Sequence, residues 1–398
     1  MKGRIIMSLR DEALSLHKKN QGKIAITSKV PVNGRADLNL AYTPGVAEPC
    51  REIHADPSQV FTYTSKGNLV AVISDGSAVL GLGNIGPEAA LPVMEGKCIL
   101  FKSFANIDAV PLVLASQDSE SIIAAVKAVA PTFGGINLED ISAPRCFEIE
   151  KRLKEELPIP VFHDDQHGTA VVILAAILNA VKVVEKKLSE CIVVISGAGA
   201  AGTATSKLLL NQGVKELRVV ERHGILNSDE PQPDMPKTEL AALTNPQKLS
   251  GGLEVAMQNA DIFIGLSAPN VADRKHIALM KPQAIVFAMA NPVPEIYPEE
   301  AFAGGATVVG TGRSDFPNQI NNVLAFPGIF RGALDAGATT ISEGMKLAAA
   351  QALANLLSPE QLTPERIIVD PFDSRVVPAI AKAVAMKARQ ECLIRSNI

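Results

Sequence analysis

Residues 192–202 read Ile192-Val193-Val194-Ile195-Ser196-Gly197-Ala198-Gly199-Ala200-Ala201-Gly202, and Glu221 stands 19 positions beyond the last glycine (221 − 202). Four consecutive β-branched residues suit a strand buried on both faces. The GxGxxG run behind them lets the backbone turn sharply and approach a pyrophosphate, whose charge the N-terminus of a following helix stabilises. Residues 217–220 form the next strand, and the acid that closes it lies where the ribose hydroxyls of a dinucleotide belong. Gly197, Gly199, Ala200, Ala201, Gly202 and Glu221 are the expected cofactor-binding residues. The glycine run alone is a weak signal; the strand before it and the acid after it make it specific. Glu221 repels a 2′-phosphate and favours NAD, while Arg222 and His223 could contact one, so NADP stays open.

Working outward, residues 203–212 read as a helix, and 261–265, 284–289 and 307–310 as further strands. That alternation predicts an α/β fold with a Rossmann-type doubly wound parallel sheet. Upstream, strands are expected at 69–74, 98–101 and 110–114, with helices at 120–130 and 143–157, giving a second, N-terminal α/β domain. A long helix at 169–187 follows the boundary. Residues 1–163 are assigned to the domain for substrate, metal and acid–base residues, and 164–398 to the dinucleotide domain. Helices at 341–357 and 376–392 close the chain, and the sequence leaves open which domain the last one joins. The proline-rich residues 227–246 read as a surface excursion.

The 398 residues are 47% hydrophobic and 20% charged, with a formal net charge of −4, so the chain builds real cores and carries no basic stripe. Trp is absent and Tyr numbers three, which leaves little for stacking on bases and argues against a nucleic-acid partner. Five scattered cysteines form neither a disulfide framework nor a zinc site and read as passive thiols of a reducing compartment. Ile5-Ile6-Met7 is too short for a signal sequence. The apolar run 170–184 is broken by Asn179 and Lys182 and falls short of the ~20 residues of a membrane span. The expectation is a soluble, cytoplasmic protein.

Acids gather at two expected strand ends, Glu139-Asp140 and Asp164-Asp165. Adjacent carboxylates repel one another unless a proton or cation intervenes, and hard oxygen ligands of this kind select Mg²⁺ or Mn²⁺ over zinc. Either pair alone could instead cap a helix. His163 and His167 flank the second pair and are read as hydrogen-bonding neighbours rather than ligands. Lys97, ahead of the apolar stretch 98–101, could be a base if desolvation lowered its pKa. Tyr42 lies in a turn, in Ala41-Tyr42-Thr43-Pro44-Gly45-Val46-Ala47.

The runs at 42–47, 74–76 with 81–83, 95–97, 137–140, 163–170, 289–292 and 311–322 together resemble the malic enzyme family, nearest its short bacterial form, from about residue 24 to 390. The resemblance implies oxidation and decarboxylation of L-malate to pyruvate and CO2, with a divalent metal and a nicotinamide dinucleotide. By position it implies Glu139, Asp140 and Asp165 as metal ligands, Lys97 as general base and Tyr42 as general acid. Asp164 becomes the acid that holds the lysine, and Asn291 and Asn322 contact substrate and nicotinamide ribose. It also implies a homodimer and raises the hypothesis that the tyrosine and lysine are supplied across its interface.

One departure stands out. Larger members carry a carboxylate-binding arginine where this chain has Ala78, so Ser77 and nearby backbone N–H groups are the expected substitutes. Long bacterial forms continue into an acetyltransferase-like extension beyond the point where this chain ends. Two rival readings remain: a metal-dependent oxaloacetate decarboxylase using the same metal, lysine and tyrosine, and a non-catalytic nucleotide-binding protein, which would show gaps in the acid–base set.

Overall fold

The computed structural model describes residues 8–395 apart from Leu80, so the reading of Ile5-Ile6-Met7 lies outside the described residues. Two sheets organise the chain. The first contains β1 (Leu69–Ser74), β2 (Asp108–Val113), β3 (Gly135–Leu138) and β4 (Val161–His163), in the order β2-β1-β3-β4 with parallel pairing throughout. The second contains β5 (Ile192–Ser196), β6 (Glu216–Glu221), β7 (Gly224–Ile225), β8 (Ile262–Gly265), β9 (Ala284–Ala288) and β10 (Ala306–Thr311). Its order is β10-β9-β8-β5-β6-β7. It is parallel except for β7, which turns back on β6 because two connecting residues, Arg222 and His223, allow only a hairpin. The order reverses between β5 and β8, so a crevice opens at their C-terminal ends, the usual ligand position of a doubly wound sheet.

Helices cover both faces of both sheets, and one core lies between them. It joins Val70 and Val72 of β1, Val193 and Ile195 of β5 and the apolar side of the helix Asp164–Val183. That helix is long and apolar enough to cross a membrane by length and composition, more so than the sequence pattern indicated, but 72% of the window concerned is buried among the sheets and helices. Its composition is that of a central core helix. It also begins at Asp164 rather than 169, which puts both acids in its first turn, at the positive end of the helix dipole.

Residues 98–101 are not a strand. They lie within the helix Pro87–Ala105, which starts with a proline and an acid in its first turn and ends on a left-handed Asn106. Its buried residues, Ala90, Met94, Lys97, Cys98, Phe101 and Ala105, recur at helical spacing. Four apolar residues in a row cannot distinguish a strand from one face of a helix with its flanks. As a result Lys97 lies on the buried face of a helix, between Met94 and Phe101, and not in a loop.

The chain also forms a helix at Phe326–Asp335 that the sequence pattern did not reveal. It returns to the first sheet: a Cβ on Gly135 would meet Phe330 at 3.1 Å, and one on Gly134 would meet Leu334 at the same distance. The last helix, Val376–Gln390, packs closely against it, since a Cβ on Gly328 would lie 2.8 Å from Ile380.

Candidate active site

The glycine turn assigns each glycine a separate task. Gly197 has φ +104, and a Cβ there would lie 2.5 Å from the Leu266 carbonyl at the end of β8. A Cβ on Gly202 would sit 1.8 Å from the Gly197 carbonyl, so this glycine lets the helix Ala200–Asn211 pack on the turn. Gly199 faces open space with nothing within 4 Å, where a pyrophosphate can approach. Ala200, Ala201 and Gly202 form the first helical turn, three residues earlier than expected, and their N–H groups point out of the helix end. Glu221 is brought to the same turn: its Oε1 accepts the Ala198 N–H at 2.6 Å. Lys237, from the proline-rich excursion, lies 3.9 Å from Glu221 Oε2. No local pattern marks that lysine, because the fold alone returns it to β6.

The acids gather between the two sheets. Glu139 directly follows β3 and Asp165 follows β4, neighbouring strands whose register pairs Leu138 with His163. One oxygen from each of Glu139, Asp140 and Asp165 can be chosen so that all lie within 4.8 Å of one another. Asp140 adopts a left-handed conformation (φ 54) that short polar side chains tolerate. Its N–H donates to Asp165 Oδ2 at 2.8 Å and its carbonyl accepts the Ala78 N–H at 2.9 Å. Burial and the Asp165 charge push the Asp140 carboxyl up to about 8. Burial also holds Glu139 well above the carboxylate range. Asp140 Oδ2 is buried without a hydrogen-bond partner. Such a set needs a proton or a cation, and three hard oxygens at this spacing fit Mg²⁺ or Mn²⁺. Neither pair caps a helix: His163 is the N-cap before Asp164, and Pro144 precedes the helix Arg145–Glu156.

Lys97 Nζ lies 2.6 Å from Asp164 Oδ2 and 2.9 Å from Glu139 Oε1, and 4.3 Å from the centre of the Phe326 ring. Burial acts to lower its pKa, but the charges of Asp164 and Glu139 outweigh burial and raise it, contrary to the desolvation expected from sequence. Without a cation the ammonium is the counter-charge of the cluster. Asn322 Nδ2 donates to the same Asp164 oxygen at 2.7 Å. Asn291 approaches the loop after β1, where a Cβ on Gly81 would meet its backbone carbonyl at 3.1 Å, and makes none of the contacts of the Lys97 cluster among the described residues.

One expectation fails on geometry. The Ser77 hydroxyl donates to Asp75 Oδ1 at 2.6 Å and accepts the Ser142 N–H at 2.9 Å. The N–H groups of residues 76 to 79 bond to Ser74 Oγ, Asp75 Oδ1, Asp140 O and Gly83 O. These donors build the loop and are not available to a substrate carboxylate, so Ser77 is a loop-holding residue. Tyr42 lies on an N-terminal arm, 66% exposed, and makes none of the contacts of the Lys97 cluster of its own chain among the described residues.

Sequence reading missed Glu295, a buried acid whose two oxygens accept the Ser267 and Ala290 N–H groups at 2.8 and 2.9 Å and so join the loops after β8 and β9. Flanked by loop-forming prolines, it reads as a surface residue. It also missed Glu150 and Lys346, buried ions within the helices Arg145–Glu156 and Glu343–Ala354.

Comparison with known proteins identifies the family. Residues 21–154 match the profile of the malic enzyme N-terminal domain, and 166–392 that of the malic enzyme NAD-binding domain. The bifunctional malic/malolactic enzyme of Bacillus subtilis is 55% identical over 98% of this chain and 96% of its own. The NAD-dependent malic enzyme of Geobacillus stearothermophilus is 54% identical over 100% of this chain and 82% of its own. The crystal structure of malic enzyme from Pyrococcus horikoshii, 52% identical, superposes with a TM-score of 0.94 over 98% of this chain and 93% of that one. With both domain profiles matched in order along the chain, the protein belongs to the malic enzyme family.

Proposed function

We propose that the family reaction, oxidative decarboxylation of L-malate to pyruvate and CO2 with reduction of a nicotinamide dinucleotide, runs here on a divalent cation held by Glu139, Asp140 and Asp165, with Lys97 as base. The observation that carries this reading is the contact of Lys97 with Asp164 and Glu139 directly beside the three-carboxylate group. When bound by Glu139, Asp140 and Asp165, a cation would supply a Lewis acid for the breaking C3–carboxylate bond and would offset the carboxylates that keep Lys97 protonated. A dinucleotide held at the glycine turn would supply the acceptor for the hydride from C2. Lys97 takes the proton of the C2 hydroxyl as the hydride departs, and Asp164 and Asn322 fix the direction of its Nζ. Asn322 and Asn291 are the substrate-facing amides.

NAD is the preferred dinucleotide, because Glu221 places its charge beside the glycine turn where a 2′-phosphate is disfavoured; Lys237 offsets part of that charge and leaves NADP as a poorer substrate. Following absorbance at 340 nm with malate and Mn²⁺ tests both points. We expect kcat/KM with NAD to exceed that with NADP by about tenfold or more, the scale of a single misplaced charge. Equal or reversed efficiencies would overturn the cofactor preference. No signal, with rapid loss of oxaloacetate, would favour the decarboxylase instead.

The protein acts as a homodimer. The helices Leu9–Asn20, Arg35–Ala41 and Ala47–Ala55 have no buried residue, and Leu9, Ile26, Leu40 and Val30 are exposed on this arm. Apolar surface of that extent calls for cover, and a second copy supplies it. Lys97 acts within its own chain, whereas the partner subunit's Tyr42 serves as the acid that protonates C3 of the enolpyruvate. Tyr42→Phe and Lys97→Ala should each be inactive alone. In an unfolded and refolded equal mixture, half the dimers are mixed and each has one intact site, so about a quarter of wild-type activity returns. A tyrosine acting within its own chain predicts no recovery.

A further inference from the structure

Glu150 belongs to the helix Arg145–Glu156, outside the residues assigned to the chemistry, and is 5% exposed. Its Oε1 accepts the backbone N–H of His163 at 3.2 Å, and its Oε2 is 2.8 Å from His167 Nε2. His163 is the N-cap of the helix Asp164–Val183, and His167 lies one turn inside it. One carboxylate therefore spans the first turn of that helix, the turn that carries Asp164 and Asp165.

The far side of the imidazole is fixed as well. Lys346 Nζ, on the helix Glu343–Ala354, is 3.0 Å from His167 Nδ1 and 2.5 Å from Glu343 Oε1. Lys154 Nζ completes the group, 2.9 Å from Glu150 Oε1. An ammonium only donates and a carboxylate only accepts, so Nδ1 must accept from Lys346 and Nε2 must carry the proton given to Glu150. A single neutral tautomer satisfies both partners. Placing ions in a core costs desolvation that apolar packing would avoid, which makes their position beside this particular turn informative.

We propose that Glu150, His167 and Lys346 are positioning residues: they hold the first turn of the helix Asp164–Val183 so that Asp165 meets the cation and Asp164 meets Lys97 and Asn322. This rests on the cation reading above. Outer partners of this kind typically change metal affinity about 10–100-fold.

The test is Mn²⁺ titration, read by the electron paramagnetic resonance of free Mn²⁺, on the intact protein without substrate or dinucleotide. His167→Leu and Lys346→Met should weaken Mn²⁺ binding by about tenfold or more. His167→Gln, whose amide can donate to Glu150 and accept from Lys346, should stay near wild type. If His167→Leu does not fold, Lys346→Met interrogates the same contact from the other side. Wild-type Mn²⁺ affinity in His167→Leu or Lys346→Met, with only the melting temperature lowered, would make the network merely structural and overturn the proposal. So would a His167→Gln variant as weak as the leucine one. Failure of the wild-type protein to bind Mn²⁺ would instead overturn the cation reading, and this proposal with it.

Discussion

Lys97→Ala is expected to lower kcat with malate by about 10³-fold, within the range a general base contributes, while leaving dinucleotide binding unchanged. The amine is the sole cation in contact with Asp164 and Glu139 among the described residues, and the glycine turn that takes the dinucleotide belongs to a different sheet. The substitution also removes the counter-charge of two buried carboxylates. Breaking a buried pair in this way destabilises by about 3–5 kcal/mol, so the variant should melt earlier without metal and regain stability with Mn²⁺. Lys97→Arg separates the two effects: it keeps the charge but offers no base at neutral pH, so stability should recover more than turnover. A Lys97→Ala enzyme retaining more than about a tenth of wild-type kcat would exclude Lys97 as the base.

The same balance accounts for so many acids in one buried place. Glu139, Asp140 and Asp164 are each displaced upward by burial, and a single ammonium does not neutralise them. The fold keeps them because the chain returns from opposite directions to the same strand ends. β3 and β4 deliver the carboxylates, the helix Pro87–Ala105 delivers Lys97, and the helix Phe326–Asp335 closes over the amine with Phe326. Positions whose role depends on one strand end are legible in sequence. The three glycines, Glu221 and the two acid pairs each combine a local pattern with a fixed offset from an apolar run. Positions whose role depends on a return of the chain are not. Lys97 was recognisable as a residue but was placed ahead of a strand, because Cys98-Ile99-Leu100-Phe101 satisfies strand and helix patterns alike. Ser77 seemed free because sequence does not show that Asp75 and Ser142 occupy its hydroxyl. Glu150, Lys346 and Glu295 look like solvated charges until the elements packed against them are known. Tyr42 could be assigned a task but not a location, since nothing in the turn at 41–47 shows how far it lies from Lys97 in the folded chain.

Gly168→Ala should likewise cost about 10²-fold in kcat, the scale of a roughly 1 Å misplacement of a catalytic group. By local rules the change is favourable, since alanine inside a helix gains about 1 kcal/mol over glycine. Here a Cβ would lie 1.8 Å from Asp164 Oδ1, 2.8 Å from its Cγ and 3.3 Å from Asn322 Cβ. Asp164 has nowhere to go: it is fully buried, and its Oδ2 already binds Lys97 at 2.6 Å and Asn322 at 2.7 Å. Either the carboxylate rotates off both partners or the helix shifts and carries Asp165 away from Glu139 and Asp140. Both responses misalign the base, and both lower the melting temperature despite the better helix former. Gly96→Ala provides the contrast, because it adjoins Lys97 in a helix yet its Cβ would meet only the Lys23 side chain, at 4.0 Å. That variant should be slightly more stable and fully active. If Gly168→Ala behaved like Gly96→Ala in kcat and melting temperature, the position of Asp164 would not be what sets the rate.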